Sequence, residues 1–272
     1  MGTQRFLYKV SAQRGCNTAW TTFTFMGTVT VLSTLFFFIS HEPLSHVPFL
    51  FMIAAVNSLA FTMATLTHME ALKRFQASIV YPMIRLNALM VVIFSVLFFK
   101  DRLSLYQVAG IVIGLVVMAI LAREASDQRE TLGKSNRGFS LVLLSMVFGA
   151  VAVISSKFAA MHTQKLAFIA LSYFLGTLLS FAFKNKLATE KTGEEKRDAV
   201  IIGVAMGLLN FAGFYAFLSA LSKGPLSIIG SIMGLHFMNA VILSTVIYSE
   251  ELTPRRIIGI LLTLVSVVLL RL

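Results

Sequence analysis

The chain has 272 residues, of which 57% are hydrophobic and only 13% charged, and its mean hydropathy is +0.83. So little charge excludes a soluble domain, and in lipid every backbone amide must be paired internally, which leaves helices or a closed barrel. The formal net charge of +11 lies mainly in short loops between apolar runs, which reads as membrane orientation and not as nucleic-acid binding, while the single cysteine, Cys16, excludes an intrachain disulfide.

The opening stretch, MGTQRFLYKVSAQRG, lacks the apolar core and cleavage site of a secretory signal peptide. After it, unbroken apolar runs predict nine membrane helices near 20–39, 47–67, 76–99, 105–122, 138–160, 166–183, 200–221, 226–248 and 257–271. The longest polar breaks, Arg123 to Arg137 and Lys184 to Asp198, are too short to hold a soluble domain.

An internal repeat organises these spans. A shift of 149 residues places Gly27 on Gly176, Ala71-Leu72 on Ala220-Leu221, Ser78-Ile79 on Ser227-Ile228, Ser95 on Ser244, and Gly110-Ile111 on Gly259-Ile260. With one gap upstream, Lys9 falls on Lys157. The expected division is a first repeat at 1–122, a polar linker at 123–137 and a second repeat at 138–272. The second repeat has five spans, whereas the first has four and an N-terminal stub. Residues 1–12 then match only the last turns of an opening helix, as though the chain began late. An odd helix number per unit makes the two copies antiparallel in the membrane, the inverted repeat of many secondary transporters.

The residues that carry this repeat resemble the EamA-type permeases of the drug/metabolite transporter superfamily. The resemblance rests on an Ala-Leu pair before the helix containing Pro82, then FFKDRLSLYQ and GIVIGLVVMAIL. It recurs as ALSKGPLSIIGSIMG, VIYSEELTPRR and GILLTLVSVVLL, with a further element from Phe148 to Lys157, and it covers nearly the whole chain. It implies a ten-helix basket with a central cavity of alternating access, the third and fourth helices of each half near the path, in a bacterial cytoplasmic membrane.

Polar groups deep in lipid are the candidates for function, since each is costly unless it faces a cavity or a partner. All twelve acidic residues fall in loops or at helix ends, which argues against a glutamate-centred proton exchange. Arg85 lies mid-span, and its planar, always-charged fork suits a carboxylate or phosphate; the alternative is a structural arginine held by backbone carbonyls. Tyr81 sits one turn before it, and Pro82 either frees a carbonyl for solute or simply kinks the helix. In the repeat-mate helix His236 and Asn239 share a face, and His236 aligns with Asn87. His236 is either a proton-coupling group or a packing histidine. Tyr81, Arg85, His236 and Asn239 are expected to face one cavity. Asn57 and Asn210, in the third helix of each half, are candidate solute contacts but also natural interhelical hydrogen bonders, and Lys157 either lines the cavity or snorkels.

Gly110/Gly114, Gly203/Gly207 and Gly230/Gly234 are small-xxx-small pairs that serve helix packing within the chain or a homodimer contact, so a monomer or a homodimer is expected. No nucleotide loop, metal-binding HExxH pair or GxSxG turn is present, so neither cofactor nor metal nor enzymatic activity is expected. The leading reading is a permease for a small anionic or zwitterionic metabolite; the alternative is a non-transporting accessory subunit or inactive truncated paralogue. Of the 23 Lys and Arg, 16 fall on the side of the N-terminal stub and 5 on the other. That predicts the first side to be cytoplasmic and the C-terminus outside, whereas the resemblance implies both termini inside.

Overall fold

The computed structural model describes residues 2–41, 43–44, 46–87, 89–91, 94, 104–132, 137–183, 193–223, 237–249, 252–269 and 272. Among them the regular structure is helical throughout: α1 (Gly2–Gln13), α2 (Thr18–Ser40), α3 (Val47–Leu72), α4 (Ala77–Arg85), α5 (Leu105–Leu132), α6 (Arg137–His162), α7 (Lys165–Phe183), α8 (Gly193–Lys223), α9 (Phe237–Tyr248) and α10 (Pro254–Leu269). Five segments, Thr18–Ser40, Val47–Leu72, Gly138–His162, Lys165–Phe183 and Lys196–Lys223, are long and apolar enough to cross a membrane.

Local chemistry sets several of the helix ends. Asn17 caps α2, its Oδ1 accepting from the Trp20 amide at 3.0 Å, and Pro48 stands in the first turn of α3, where a missing N–H costs nothing. Helix-forming polar residues carry α5 through Leu132, well into the stretch predicted as linker, and likewise start α8 at Gly193 instead of near 200. The predicted span 76–99 carries an irregularity at Leu86, with residues 87 and 89–91 helical again beyond it. Pro82 cannot donate an amide inside α4, and α4 gives way at Leu86, whose amide reaches back three residues to the Met83 carbonyl at 3.1 Å.

The N-terminal stub is a helix with buried side chains: Gln4, Tyr8, Lys9 and Ser11 of α1 are among the buried residues, and α1 packs against α3, α8 and α9. Conversely, Phe38 of α2 is 69% exposed and Val246 of α9 74%, an outer surface suited to hydrocarbon and not to water.

Most helix pairs recur when the two halves are exchanged. α2 packs on α7, α4 on α9 and α5 on α10, each with its repeat mate. The contact of α3 with α6 is mirrored by that of α8 with α1, and the contact of α4 with α6 by that of α9 with α1. The expectation of a duplicated unit thus has a direct counterpart in packing.

Glycines permit the closest approaches. A Cβ at Gly203 of α8 would stand 2.8 Å from the Thr21 carbonyl oxygen of α2, and one at Gly207 would stand 3.0 Å from that of Phe25. On the α5–α10 seam, the Ser266 hydroxyl donates to the Gly110 carbonyl at 2.8 Å. Gly110/Gly114 and Gly203/Gly207 therefore serve packing within the chain, and Gly230/Gly234 lie outside the described residues. Many hydroxyls in the spans are satisfied on their own helix, as Thr22 on the Thr18 carbonyl at 2.7 Å and Ser180 on that of Gly176 at 2.8 Å, which suits Ser and Thr to an apolar setting.

Candidate functional site

α1, α3 and α4 converge on His68, which is 1% exposed near the end of α3. α1 presents Gln4, Arg5 and Tyr8, the first and last of them one turn apart, and α4 presents Tyr81 and Arg85 at the same spacing. Arg5 Nη1 lies 3.2 Å from His68 Nδ1. A guanidinium has donors only, so Nδ1 accepts and the ring is neutral with its hydrogen on Nε2. The rings of Tyr8 and Tyr81 meet the imidazole edge-on from two sides, with both centroid separations 5.2 Å, and the Arg5 guanidinium carbon sits 5.1 Å from the Tyr8 ring centroid. The Tyr81 hydroxyl donates to the Arg5 carbonyl and fastens α4 to α1.

A second line of hydrogen bonds leads away from this core. Gln4 Nε2 donates to the Tyr8 hydroxyl at 3.3 Å, while Gln4 Oε1 accepts from Asn210 Nδ2 at 3.2 Å. Asn210 Oδ1 in turn accepts from the Tyr173 hydroxyl at 2.6 Å. Helices α1, α8 and α7 are joined through that chain. Tyr173 also belongs to a ring cluster with Phe25, Phe61 and Phe214.

Charge is distributed one-sidedly here. Arg5 and Arg85 lie within Coulombic reach of each other and of His68. α1 and α4 carry no acidic residue, and Glu70 of α3 is occupied, its Oε1 accepting from Lys73 at 2.9 Å and from the Thr18 hydroxyl. Cations in a low-dielectric interior cost several kcal/mol each unless countered, and a group of this kind is able to receive a negative partner. Among the described residues neither Arg5 Nε nor His68 Nε2 has a hydrogen-bond partner, and both atoms are closed to solvent. At 1.5 Å per residue, Arg5 and Arg85 are each about 12 Å along their helices from the face carrying the 14–17 and 73–76 loops.

The predicted residues separate into distinct environments. Tyr81 and Arg85 belong to the cluster. Asn87 is half-buried beyond the break at Leu86 and faces α6, where a Cβ on Gly149 would stand 3.1 Å from its Nδ2. His236 lies outside the described residues, and Asn239, in the first turn of α9, is exposed and takes no part in the buried cluster. Asn57 of α3 donates to the Ala152 carbonyl at 2.9 Å and lies 2.8 and 3.0 Å from the hydroxyls of Ser155 and Ser156, all on α6. Lys157 donates to the Leu221 carbonyl at 3.0 Å near the end of α8, where a cation also suits the helix dipole.

Arg5, Tyr8 and His68 are the residues that sequence reading passed over. Arg5 was counted with loop charges because its segment is polar, and His68 lies one residue past the predicted end of its span at 67. The match of Lys9 to Lys157 held the missing signal, since it makes residues 1–12 a membrane helix and Arg5 an embedded charge.

Apolar helices of spanning length in two repeated units make this a multi-pass integral membrane protein. It belongs to the EamA-like transporter family, whose model matches residues 2–123 and 136–272, one repeat each. Membership identifies a membrane transporter of the drug/metabolite type and fits the expectation that the protein is not an enzyme. A solved structure titled "Crystal structure of protein" is similar over 98% of this chain and 94% of its own, with 15% identity and a TM-score of 0.65, which shows a shared fold. No curated protein matches the chain.

Proposed function

We propose that the protein is a secondary permease that carries a small organic anion across a bacterial cytoplasmic membrane by alternating access between two inverted five-helix units. The observation that carries this reading is the half-buried Arg5 and Arg85 beside the buried His68, with the unmatched Arg5 Nε–H and His68 Nε2–H donors. A carboxylate suits that set best, because its two oxygens match the planar fork of a guanidinium. With no carboxylate on α1 or α4 to receive an ammonium, an anion is favoured over a zwitterion.

The donors are closed to solvent in this structure, so solute entry requires the surrounding helices to part. The one-residue irregularity at Leu86, beside Arg85, offers a place for that motion, because its tighter backbone turn weakens the helix there. Labelled lactate, glutamate, succinate and inorganic phosphate offered to proteoliposomes test the reading. At least one carboxylate crosses with the wild type, and Arg85→Ala inserts and folds but transports none of them. Wild-type flux in Arg85→Ala, or no flux of any of the four with the wild type, overturns it.

A further inference from the structure

The anion reading leaves one feature of the cluster unused, namely a buried titratable ring whose Nδ1 is occupied by a guanidinium. His68 is 1% exposed, and its Nδ1 lone pair is occupied by Arg5 Nη1–H at 3.2 Å. We propose that His68 is a proton-binding site coupled to the solute site through Arg5, so that one proton accompanies each organic anion across the membrane. The inference rests on the anion reading.

While Arg5 donates to Nδ1, a proton has no lone pair to take. A protonated ring would also turn an N–H toward a guanidinium and add a third positive charge beside Arg5 and Arg85. Both obstacles disappear when a solute carboxylate draws Arg5 away. The Nδ1 lone pair is then released to accept a proton from water on whichever face is open, and the solute's charge offsets the new one. Anion binding therefore favours proton binding, and by linkage proton binding favours anion binding equally.

Empty and doubly loaded clusters carry equal net charge, so carrying one anion with one proton moves no net charge across the membrane.

Among the described residues Arg5 is the only hydrogen-bond partner of His68, and the helices that pack against α3 are α1, α2, α4, α6 and α7. α1 faces it with Arg5 and Tyr8, and α4 with Tyr81 and Arg85. α2 carries no titratable side chain. On α6, Lys157 is bonded to the Leu221 carbonyl and His162 meets Phe49 edge-on at the opposite end of α3; on α7, Tyr173 is bonded to Asn210. Glu70, the only acid on any of these helices, is occupied by Lys73 and Thr18.

The test uses His68→Gln, whose amide oxygen still accepts from Arg5 but takes no proton. Wild-type proteoliposomes given lactate or glutamate accumulate it about tenfold per unit of inward acid gradient, independent of an imposed membrane potential, because the pair is electroneutral. In His68→Gln labelled-for-unlabelled exchange is slowed but measurable, because one of the donors to the anion is altered, while the pH gradient no longer drives accumulation and flux now follows the potential. A wild-type gradient response in His68→Gln overturns the coupling while leaving the anion reading intact; no wild-type flux of either solute overturns both.

Histidine-selective ¹⁵N spectra in lipid nanodiscs provide a measurement that needs no solute, with His68 assigned by its absence in His68→Gln. Its ring stays neutral in anion-free wild type between about pH 5 and 8 and becomes protonated within that range in Arg5→Gln. A ring that is charged in the anion-free wild type, or neutral throughout in Arg5→Gln, overturns the proposal.

Discussion

The cationic cluster of the first half and the matching place in the second half share one scaffold and almost none of the chemistry. Carried across the repeat, Arg5, Tyr8 and His68 become Val153, Ser156 and Phe217, while Tyr81 and Arg85 become Gly230 and Gly234, which lie outside the described residues. The packing framework, by contrast, is retained. Asn57 reaches from the third helix of its half to Ala152 of α6, and Asn210 reaches from the third helix of the other half to Gln4 of α1, the position that the repeat equates with Ala152. Duplication thus supplied a repeated frame, and among the described residues the cationic cluster lies in one half of it. A single solute needs one site, and a second buried cationic cluster would carry the desolvation cost again with no guest to offset it.

The largest expected effect breaks this comparison directly. Arg5→Ala and Arg85→Ala should each lower flux about a hundredfold or more, the loss of about 3 kcal/mol or above that follows when a buried charge-assisted contact is removed. Lys157→Ala, at the repeat mate of Lys9, should change flux less than about threefold, because its ammonium serves a helix-end carbonyl. Equal losses in proteoliposome flux would mean that function is shared by both halves.

Next in size is an effect on the frame alone. Gly203→Val places a side chain against the Thr21 carbonyl, a backbone group that cannot move aside, and should lower stability by about 1–3 kcal/mol. Gly27→Ala should be tolerated, since the added Cβ would meet nothing closer than Thr177 Cγ2 at 3.8 Å. Thermal unfolding in detergent reads both, and an equal drop for the two would show that the α2–α8 seam is looser than its geometry.

The two asparagines separate frame from site. Asn57→Ala should cost about 1–2 kcal/mol of stability, summed over its bonds to α6, with flux per folded molecule unchanged. Asn210→Ala should cost about 1 kcal/mol and also reduce flux severalfold, because Gln4 loses the group that positions it against Tyr8. If both variants transport at the wild-type rate per folded molecule, the hydrogen-bond line from Tyr173 to Tyr8 has no bearing on the solute.

How much of this was legible in the sequence follows from what each feature depends on. Helix existence depends on runs of apolar residues, and the predicted runs correspond to α2, α3, α6 and α7 with shifts of a few residues at their ends. Polar helix ends escape such reading, so α5 and α8 extend further than hydropathy suggests. Arg85 stood out because its neighbours in sequence are apolar. Arg5 did not, since its neighbours Gln4 and Lys9 are polar, yet folding buries all of that face against α3, α8 and α9. Isolation in sequence finds a lone charge in an apolar helix; it cannot find one whose whole helix is polar and enclosed by others. His68 was hidden by a boundary error of a single residue.

The smallest expected effect comes from a second arginine only nine residues from Arg5. Arg14 donates to Asp198 Oδ2 at 2.8 Å, joining the loop after α1 to the start of α8, but the two side chains are 55% and 35% exposed. Water and salt screen such a pair, and two long side chains lose freedom to form it, so Arg14→Ala should alter stability by less than about 0.5 kcal/mol and leave flux unchanged. Its pH behaviour has a definite sign. The hydrogen bond to Asp198, and then its charge, raise the Arg14 guanidinium above its ordinary value. A cation raised in the folded state contributes stability that is fully present below its unfolded value and lost only as pH climbs through the folded one. Both lie beyond the neutral range, so the pair should add no slope to unfolding free energy between about pH 5 and 9. Denaturation of wild type and Arg14→Ala across that range checks it: parallel curves are expected, and a gap that widens with salt or pH would show that burial is not what separates Arg14 from Arg5.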